Sequence, residues 1–340
     1  MNDILAGLKK RKRKAKIVVI TLIVIVLLLM GITLMIGDTF YPLDVVFKVI
    51  MGDKNISGAS FAVGTIRLPR MLAGVLVGFS LGLAGSVFQK MLRNTLASPD
   101  IVGISSGTSM AAVFCILILQ MSGPSVSLIS MAAGLLIALL VYMLSSVGRF
   151  SSARFILIGI GLQAIMNALI SYMLLRANQY EVSSAMRWLS GSLNRMQMSS
   201  IPTLLIVVII CTIAILLLER YLNVLELGDD IAVVLGVRVK IVRILLIVCS
   251  VFMIAFATSV AGPIAFVSFL AGPITHRLVG SGQSYAFAAG LVGAILVLCG
   301  DMIGQFVFAT KFPVGVITGV IGAPYLIILL IRINKTRGVS

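Results

Sequence analysis

Twenty consecutive residues, Ile17–Ile36, carry no charge. At 1.5 Å per residue a helix of that length spans about 30 Å, the thickness of a bilayer's hydrocarbon layer, where the backbone finds no water and must satisfy its own hydrogen bonds. Similar stretches, bounded by charges or Gly/Pro breaks, fall at Phe61–Phe88, Ile101–Met121, Ser127–Ser146, Phe155–Leu175, Ile201–Leu218, Ile241–Val260, Pro263–Leu278, Ser284–Val307 and Val314–Ile331. Composition agrees: 60% of the 340 residues are hydrophobic and 11% charged, against roughly half and a quarter in a soluble domain. The expectation is an all-α polytopic membrane protein of about ten crossings. The crossing from Pro263 is expected to be a broken helix, interrupted at Gly272 and Pro273.

The net charge of +16 would suggest a polyanion partner in a soluble chain. In a membrane protein it is first a topology signal, because cytoplasmic flanks carry the excess of Lys and Arg. The run Lys9-Lys10-Arg11-Lys12-Arg13-Lys14-Ala15-Lys16 precedes the first crossing, and Gly37-Asp38-Thr39-Phe40 after that crossing is no small-residue cleavage site, so it reads as an uncleaved anchor with residues 1–16 as a cytoplasmic flank. Such a flank marks topology or contacts anionic membrane lipid, in preference to nucleic acid. With both termini inside, the cytoplasmic cations are the seven of the flank, Lys90, Arg93, Arg149, Arg154, Arg220, Arg238, Lys240, Arg243, Arg277, Arg332, Lys335 and Arg337. The outer ones are Lys48, Lys54, Arg67, Arg70, Arg176, Arg187, Arg195 and Lys311. The larger set lies inside, as the rule requires.

Catalytic and metal chemistry is poorly represented. The one histidine, His276, sits beside Arg277 near a span end, and Cys115, Cys211, Cys249 and Cys299 are scattered through apolar stretches with no metal-ligand spacing. No cofactor and no metal site is expected. An ion-coupled transporter needs ionisable groups inside its bundle, and Asp301 is the one clear acidic candidate; it could equally cap a helix or pair with an arginine. No GxxxxGK[ST] motif occurs, so ATP hydrolysis would belong to another subunit.

Four segments carry functional signals. Arg67-Leu68-Pro69-Arg70 stands at an outer corner, suited to carboxylates of a partner protein or to snorkelling, and Gly74, Gly78 and Gly82 then line one helix face for close packing. Gln89 to Thr108 is a polar, Gly/Pro/Asn-punctuated turn. The loop 219–243 holds Asp229 and Asp230 before a short apolar run and Gly236 after it, a helix start and stop. An acidic start disfavours the anionic inner leaflet and favours a protein groove.

Together with Trp188-Leu189-Ser190-Gly191-Ser192-Leu193, Gly262-Pro263-Ile264-Ala265-Phe266-Val267, Phe312-Pro313-Val314-Gly315 and Gly322-Ala323-Pro324, these segments resemble, in order from Phe61 to Arg332, the FecCD-type permeases of ATP-binding-cassette importers. The resemblance implies a fold similar to the vitamin B12 permease, a type II importer. It implies one transmembrane domain over 17–332, a cytoplasmic tail over 333–340, and a bacterial cytoplasmic membrane. It further implies a second permease subunit, two copies of a cytoplasmic ATPase and an extracellular substrate-binding protein, with an iron chelate such as a ferric siderophore as cargo, and vitamin B12 or haem as alternatives. On the same basis Arg67 and Arg70 receive acidic residues of the binding protein. Leu227, Gly228, Asp229, Asp230, Ala232, Leu235 and Gly236 couple to the ATPase, and Ser151 and Ser152 lie near the cytoplasmic gate. Small and polar residues of the implied path are Gly159, Gly161, Asn167, Gly315 and Thr318. The chain departs from the family where many relatives have an arginine in place of Gln305, a glutamate in place of Lys311, and Pro-His in place of Pro273-Ile274. These departures would add Lys311 to the docking set and suit a heterodimeric permease. An ion-coupled transporter depending on Asp301 is the rival class.

Overall fold

The computed structural model describes residues 2–53, 58–95, 97–100, 102–147, 150–194, 196–280 and 285–337. Lys54, Arg149, Arg195 and positions 338–340 of the tail lie outside the described residues, as do the side chains of Arg332, Lys335 and Arg337. The described residues form helices and connections without strands. The helices are α1 (Asn2–Met35), α2 (Leu43–Ile50), α3 (Leu68–Met91), α4 (Ile104–Leu117), α5 (Pro124–Ser145), α6 (Ser152–Arg176) and α7 (Gln179–Leu189). They continue as α8 (Ile201–Leu225), α9 (Asp229–Val234), α10 (Val239–Ala261), α11 (Val267–Val279), α12 (Ala286–Phe306) and α13 (Val314–Arg337). A π-helical turn, Ser60–Arg67, feeds α3, whose Pro69 sits in the first turn where its missing N–H costs nothing.

Among the described residues, seven helices are long and apolar enough to cross a membrane: α1, α3 with its π-helical entry, α5, α6, α8, α10 and α12. The other three expected crossings correspond to the shorter helices α4, α11 and α13. Two amphipathic helices, α2 and α7, fall in segments read as connections. Too short to cross, they turn Val46, Val49 and Ala185 inward.

Helix α3 is the hub. Of its most apolar stretch 89% is buried, against 17% for α1 and 22% for α6, so it is packed all round while the latter two offer most of their surface outward. Its neighbours include α12, α10, α11 and α8. The closest contact is with antiparallel α12, where Gly78 and Gly82 meet the backbone of Ala289, Gly293 and Ala294. A Cβ on Gly78 would stand 2.5 Å from the Gly293 carbonyl oxygen, too near for any side chain. Glycine there lets the two backbones touch.

The crossing from Pro263 is not broken at Gly272 and Pro273. The irregular backbone lies earlier, from Gly262 to Phe266 (φ +66°), and α11 then runs through Pro273. Proline removes the N–H that would bond to the Phe269 carbonyl. Gln89 of α3 replaces it, its Nε2 donating to that oxygen at 2.9 Å. Gly272 supplies the space, since a Cβ there would collide with the Gln89 amide. The pair that looked like a break is a socket for a neighbour's side chain.

Two stability predictions follow from these contacts. Gln89→Ala leaves a buried carbonyl without a donor and should cost about 1–3 kcal/mol. Gly82→Leu should cost about as much or more by overpacking. Thermal unfolding of the purified protein in detergent checks both, and unchanged melting for Gly82→Leu would contradict the α3–α12 packing.

Candidate functional site: a polar cluster at each end of the bundle

Helix α3 carries Arg70 near its start and Lys90 near its end, twenty residues apart and so separated by about 30 Å along the axis. Each is tied to other helices, and the functional candidates gather around them.

At the Arg70 end the guanidinium grips Asp301 of α12 with two hydrogen bonds, Nε to Oδ2 at 2.8 Å and Nη2 to Oδ1 at 2.7 Å, while Nη1 donates to Asn194 Oδ1. Gln305, one turn on from Asp301, donates Nε2 to the same Oδ2 at 2.7 Å. Asp301 is 4% exposed and its oxygens are fully engaged, so the pairing reading fits the geometry and a free coupling-ion carboxylate does not. Arg67 caps α1: Nη1 donates to the Leu34 and Met35 carbonyls and Nη2 to that of Thr39, with the Tyr41 ring 5.1 Å beneath. A cation at a helix C-terminus satisfies carbonyls that the helix leaves unpaired. Lys311 pairs with Asp38 at 3.1 Å on the exposed rim. Arg67, Arg70, Asp301, Gln305 and Lys311 thus line one cleft of about 270 Å³. Both arginines of the expected docking corner are already satisfied within the chain.

Three of the motifs behind the resemblance meet here. The Gly315 N–H donates to the Gly191 carbonyl at 3.0 Å, Ser192 N–H to Ala261 at 2.7 Å, and Gly191 (φ +61°) lies against the Pro263 carbonyl. The loop that carries Asn194 to Arg70 is therefore pinned by the end of α10, the link that follows it and the start of α13.

At the other end Lys90 is buried, donates Nζ to Asn223 Oδ1 of α8 at 2.9 Å and sits 3.9 Å from the centre of the Tyr285 ring. Nearby, Glu219 of α8 accepts the Ala286 N–H at 2.9 Å, a carboxylate placed at the N-terminus of α12 where the helix dipole favours it. Asp100 holds the polar turn after α3 by accepting from Ser105 Oγ (2.6 Å) and Ser268 Oγ (2.9 Å), which ties the turn to α11. His276 is exposed and meets Tyr285 edge-on.

The expected coupling loop lies at this same end. Gly228 (φ +122°) precedes α9, Asp229 and Asp230 occupy its first turn, and Gly236 (φ +78°) ends it in a Schellman turn: Gly236 N–H to Val233 O, and Val237 N–H to Ala232 O. Ala232 and Val237 are buried, whereas Leu227, Ile231, Val233, Val234 and Leu235 are all at least half exposed. Asp229 anchors the base, accepting from Arg243 at 2.7 Å with Arg93 at 3.7 Å. The Arg243 guanidinium lies 4.1 Å from the ring centre of Phe150, and that ring stands 5.7 Å from Phe155 of α6. Ser151 caps α6. With Ser152 it shares a cleft of about 560 Å³ with Arg93 and residues 227–231. The expected gate and coupling residues, 75 positions apart in sequence, are neighbours.

The expected path residues are not gathered in one place. Gly161 and Asn167 lie on the exposed side of α6. Gly159 is buried near Gly103, Gly315 is buried against Ser190, and Thr318 is 4% exposed with its hydroxyl donating to the Gly315 carbonyl. These last three pack within the subunit because α6 and α13 each turn one face toward their own neighbours.

Residues 22–332 match the model of the FecCD transport family. The chain belongs to that family. It is 35% identical over 293 residues to the ferric enterobactin transport system permease protein FepG of Escherichia coli (strain K12), covering 86% of this chain and 88% of the relative. It is 34% identical to the iron(3+)-hydroxamate import system permease protein FhuG of Bacillus subtilis (strain 168), over 79% of this chain and 83% of that one. A solved structure of a metal-chelate type ABC transporter in an inward-facing conformation superposes with a TM-score of 0.82, covering 92% of this chain and 98% of that chain at 26% identity. The FecCD member described here shares that fold.

Sequence reading passed over Gln89, Asn194, Glu219 and the anchor Arg243. Gln89 and Glu219 did carry a signal: each is a polar residue at the end of an otherwise apolar run. Arg70→Ala and Asp301→Ala should each destabilise the protein, and the double variant should cost less than their sum by at least about 1 kcal/mol, since either change alone strands the other charge. Additive effects on thermal unfolding would argue against the pair. Arg243→Gln should raise amide exchange over residues 226–237 several-fold by freeing Asp229. Unchanged exchange there would argue against the anchor.

Proposed function

We propose that this FecCD member is the transmembrane subunit of an ATP-binding-cassette importer in a bacterial cytoplasmic membrane, moving a ferric siderophore or similar iron chelate inward. ATP hydrolysis would occur on a separate subunit, consistent with the absence of a phosphate-binding loop in the sequence. The observation that carries this reading is α9, which presents an apolar face left exposed by the described residues, on a base ion-paired to α10, beside the start of α6. Such a knob suits a groove in a partner, and the partner by family is the ATPase. The cargo class follows the ferric-chelate relatives.

In this reading residues 17–332 form one permease domain that pairs with a second permease subunit, with the Arg70 end outward and the Arg93 end in the cytoplasm. ATP closure moves α9 through Leu227, Gly228, Asp229, Asp230, Ala232, Leu235 and Gly236. Arg243 and Phe150 pass the displacement to Ser151, Ser152 and α6. A partner shifts the equilibrium between outward and inward states only by its differential affinity for them, so the link must be stiff. Gly161 and Asn167, on the exposed side of α6, line the path toward the second subunit. At the outer end a docking carboxylate from the binding protein exchanges with Asp38 for Lys311 and approaches the rim beside Arg67 and Arg70.

Ile231→Asp with Val234→Asp should release the ATPase in co-purification while leaving the fold intact; retained ATPase and normal ATP-driven uptake of iron chelate in proteoliposomes would refute the coupling role. Uptake of cobalamin or haem in place of iron chelates would reassign the cargo. Lys311→Glu should weaken binding-protein docking and Asp38→Asn should strengthen it. Equal affinities for both variants would remove Lys311 from the docking surface.

A further inference from the structure

The match to the family model begins at residue 22, after the basic run. In the structure that run is not a separate arm. Residues 9–16 continue α1 as one helix from Asn2 to Met35, about 51 Å long, which exceeds the hydrocarbon layer by roughly 20 Å. The uncharged part from Ile17 to Met35 fills about 28 Å of that layer and leaves Lys16 at its edge. The other six cations then rise through the next ~10 Å, which covers the headgroup zone and the water just above it.

Their arrangement decides between partners. Lys9, Lys10, Arg11, Lys12, Arg13 and Lys14 are consecutive, and successive helical residues are turned by about 100°, so the six cations point in every direction around the axis. All six are exposed, and among the described side chains no carboxylate forms an ion pair with any of them. Pairs three and four apart, such as Lys10 with Arg13 and Lys14, repel one another on the helix surface. A protein groove or a nucleic acid would engage one side of such a helix and leave the other side uncompensated. Lipid headgroups would meet every side that does not face α11, the side where Lys14 Nζ lies near Gly280.

We propose that residues 9–16 form a collar that binds anionic phospholipid, with phosphate groups of several lipids arranged around α1 at the membrane surface. The inference needs only that α1 crosses the bilayer and does not depend on the transported cargo. Lys16 and Lys14 meet the phosphates nearest the acyl chains, Lys14 with its Nζ close to Gly280 at the end of α11. Arg13 to Lys9 engage the outer layer of charge within a Debye length of the surface.

The test uses the full chain in nanodiscs of equal parts phosphatidylglycerol and phosphatidylcholine, followed by mild detergent extraction and a count of retained lipids by native mass spectrometry. The wild-type protein should retain phosphatidylglycerol in preference to phosphatidylcholine. Changing Lys9, Lys10, Arg11 and Lys12 together to Gln should lower that preference roughly fivefold or more, while Arg13, Lys14 and Lys16 remain to fix orientation. A second variant, Lys9→Arg with Lys10→Arg and Lys12→Arg, should retain it, separating charge from folding. Equal retention of the two lipids by wild type, or an unchanged preference in the Gln variant, would overturn the proposal. So would loss of ATPase or nucleic-acid binding in the Gln variant without loss of phosphatidylglycerol, since the collar's partner would then not be lipid.

Discussion

The antiparallel contact between α3 and α12 is what the remaining helices are built on. Lipid tails are as apolar as leucine, so helices in a bilayer gain little from hiding apolar surface and must gain from close packing and satisfied polar groups. This pair has both. Gly78, Gly82 and Gly293 bring the backbones together at the centre. Arg70 with Asp301 joins them at one end, and Lys90 against Tyr285 joins them at the other. With α3 buried on all sides, α10, α11 and α8 inherit their positions from it.

The charges deep in the protein follow one rule. Lys90, Glu219, Arg243 and Asp301 are each under a tenth exposed, and each sits near a helix end beside a specific partner: Asn223, the Ala286 N–H, Asp229 and Arg70. A buried charge stripped of its partner is costly, so these pairs fix the registers of α3, α8, α10 and α12 against one another. The middle of the bundle is left to small and apolar side chains.

Much of this was legible in the sequence. The crossings appeared as uncharged runs, and the helix at residues 229–236 appeared from its acids and its closing glycine because both signals are local. That Asp301 could pair with an arginine was legible, but not which one, because the partners lie far apart: Arg70 and Asp301 are separated by 231 residues. Read alone, Arg67 and Arg70 suit the carboxylates of a partner protein or snorkelling, and the fold adds the contacts that hold them, Leu34 and Met35 for the first and Asp301 for the second. Gly272-Pro273 misled for the same reason. The sequence records that a hydrogen bond is missing from α11 but not that a glutamine on another helix replaces it.

That replacement has a mechanical meaning. A helix interrupted by proline ordinarily bends there, at the turn where its ladder is open. Here the open rung is closed by Gln89, so α11 cannot flex at Pro273 without pulling its Phe269 carbonyl away from the Gln89 amide of α3. The two helices are keyed together like parts of one beam. In the proposed transport cycle the displacement falls to α6, whose most apolar stretch is only 22% buried, while α3 and α11 stay keyed together.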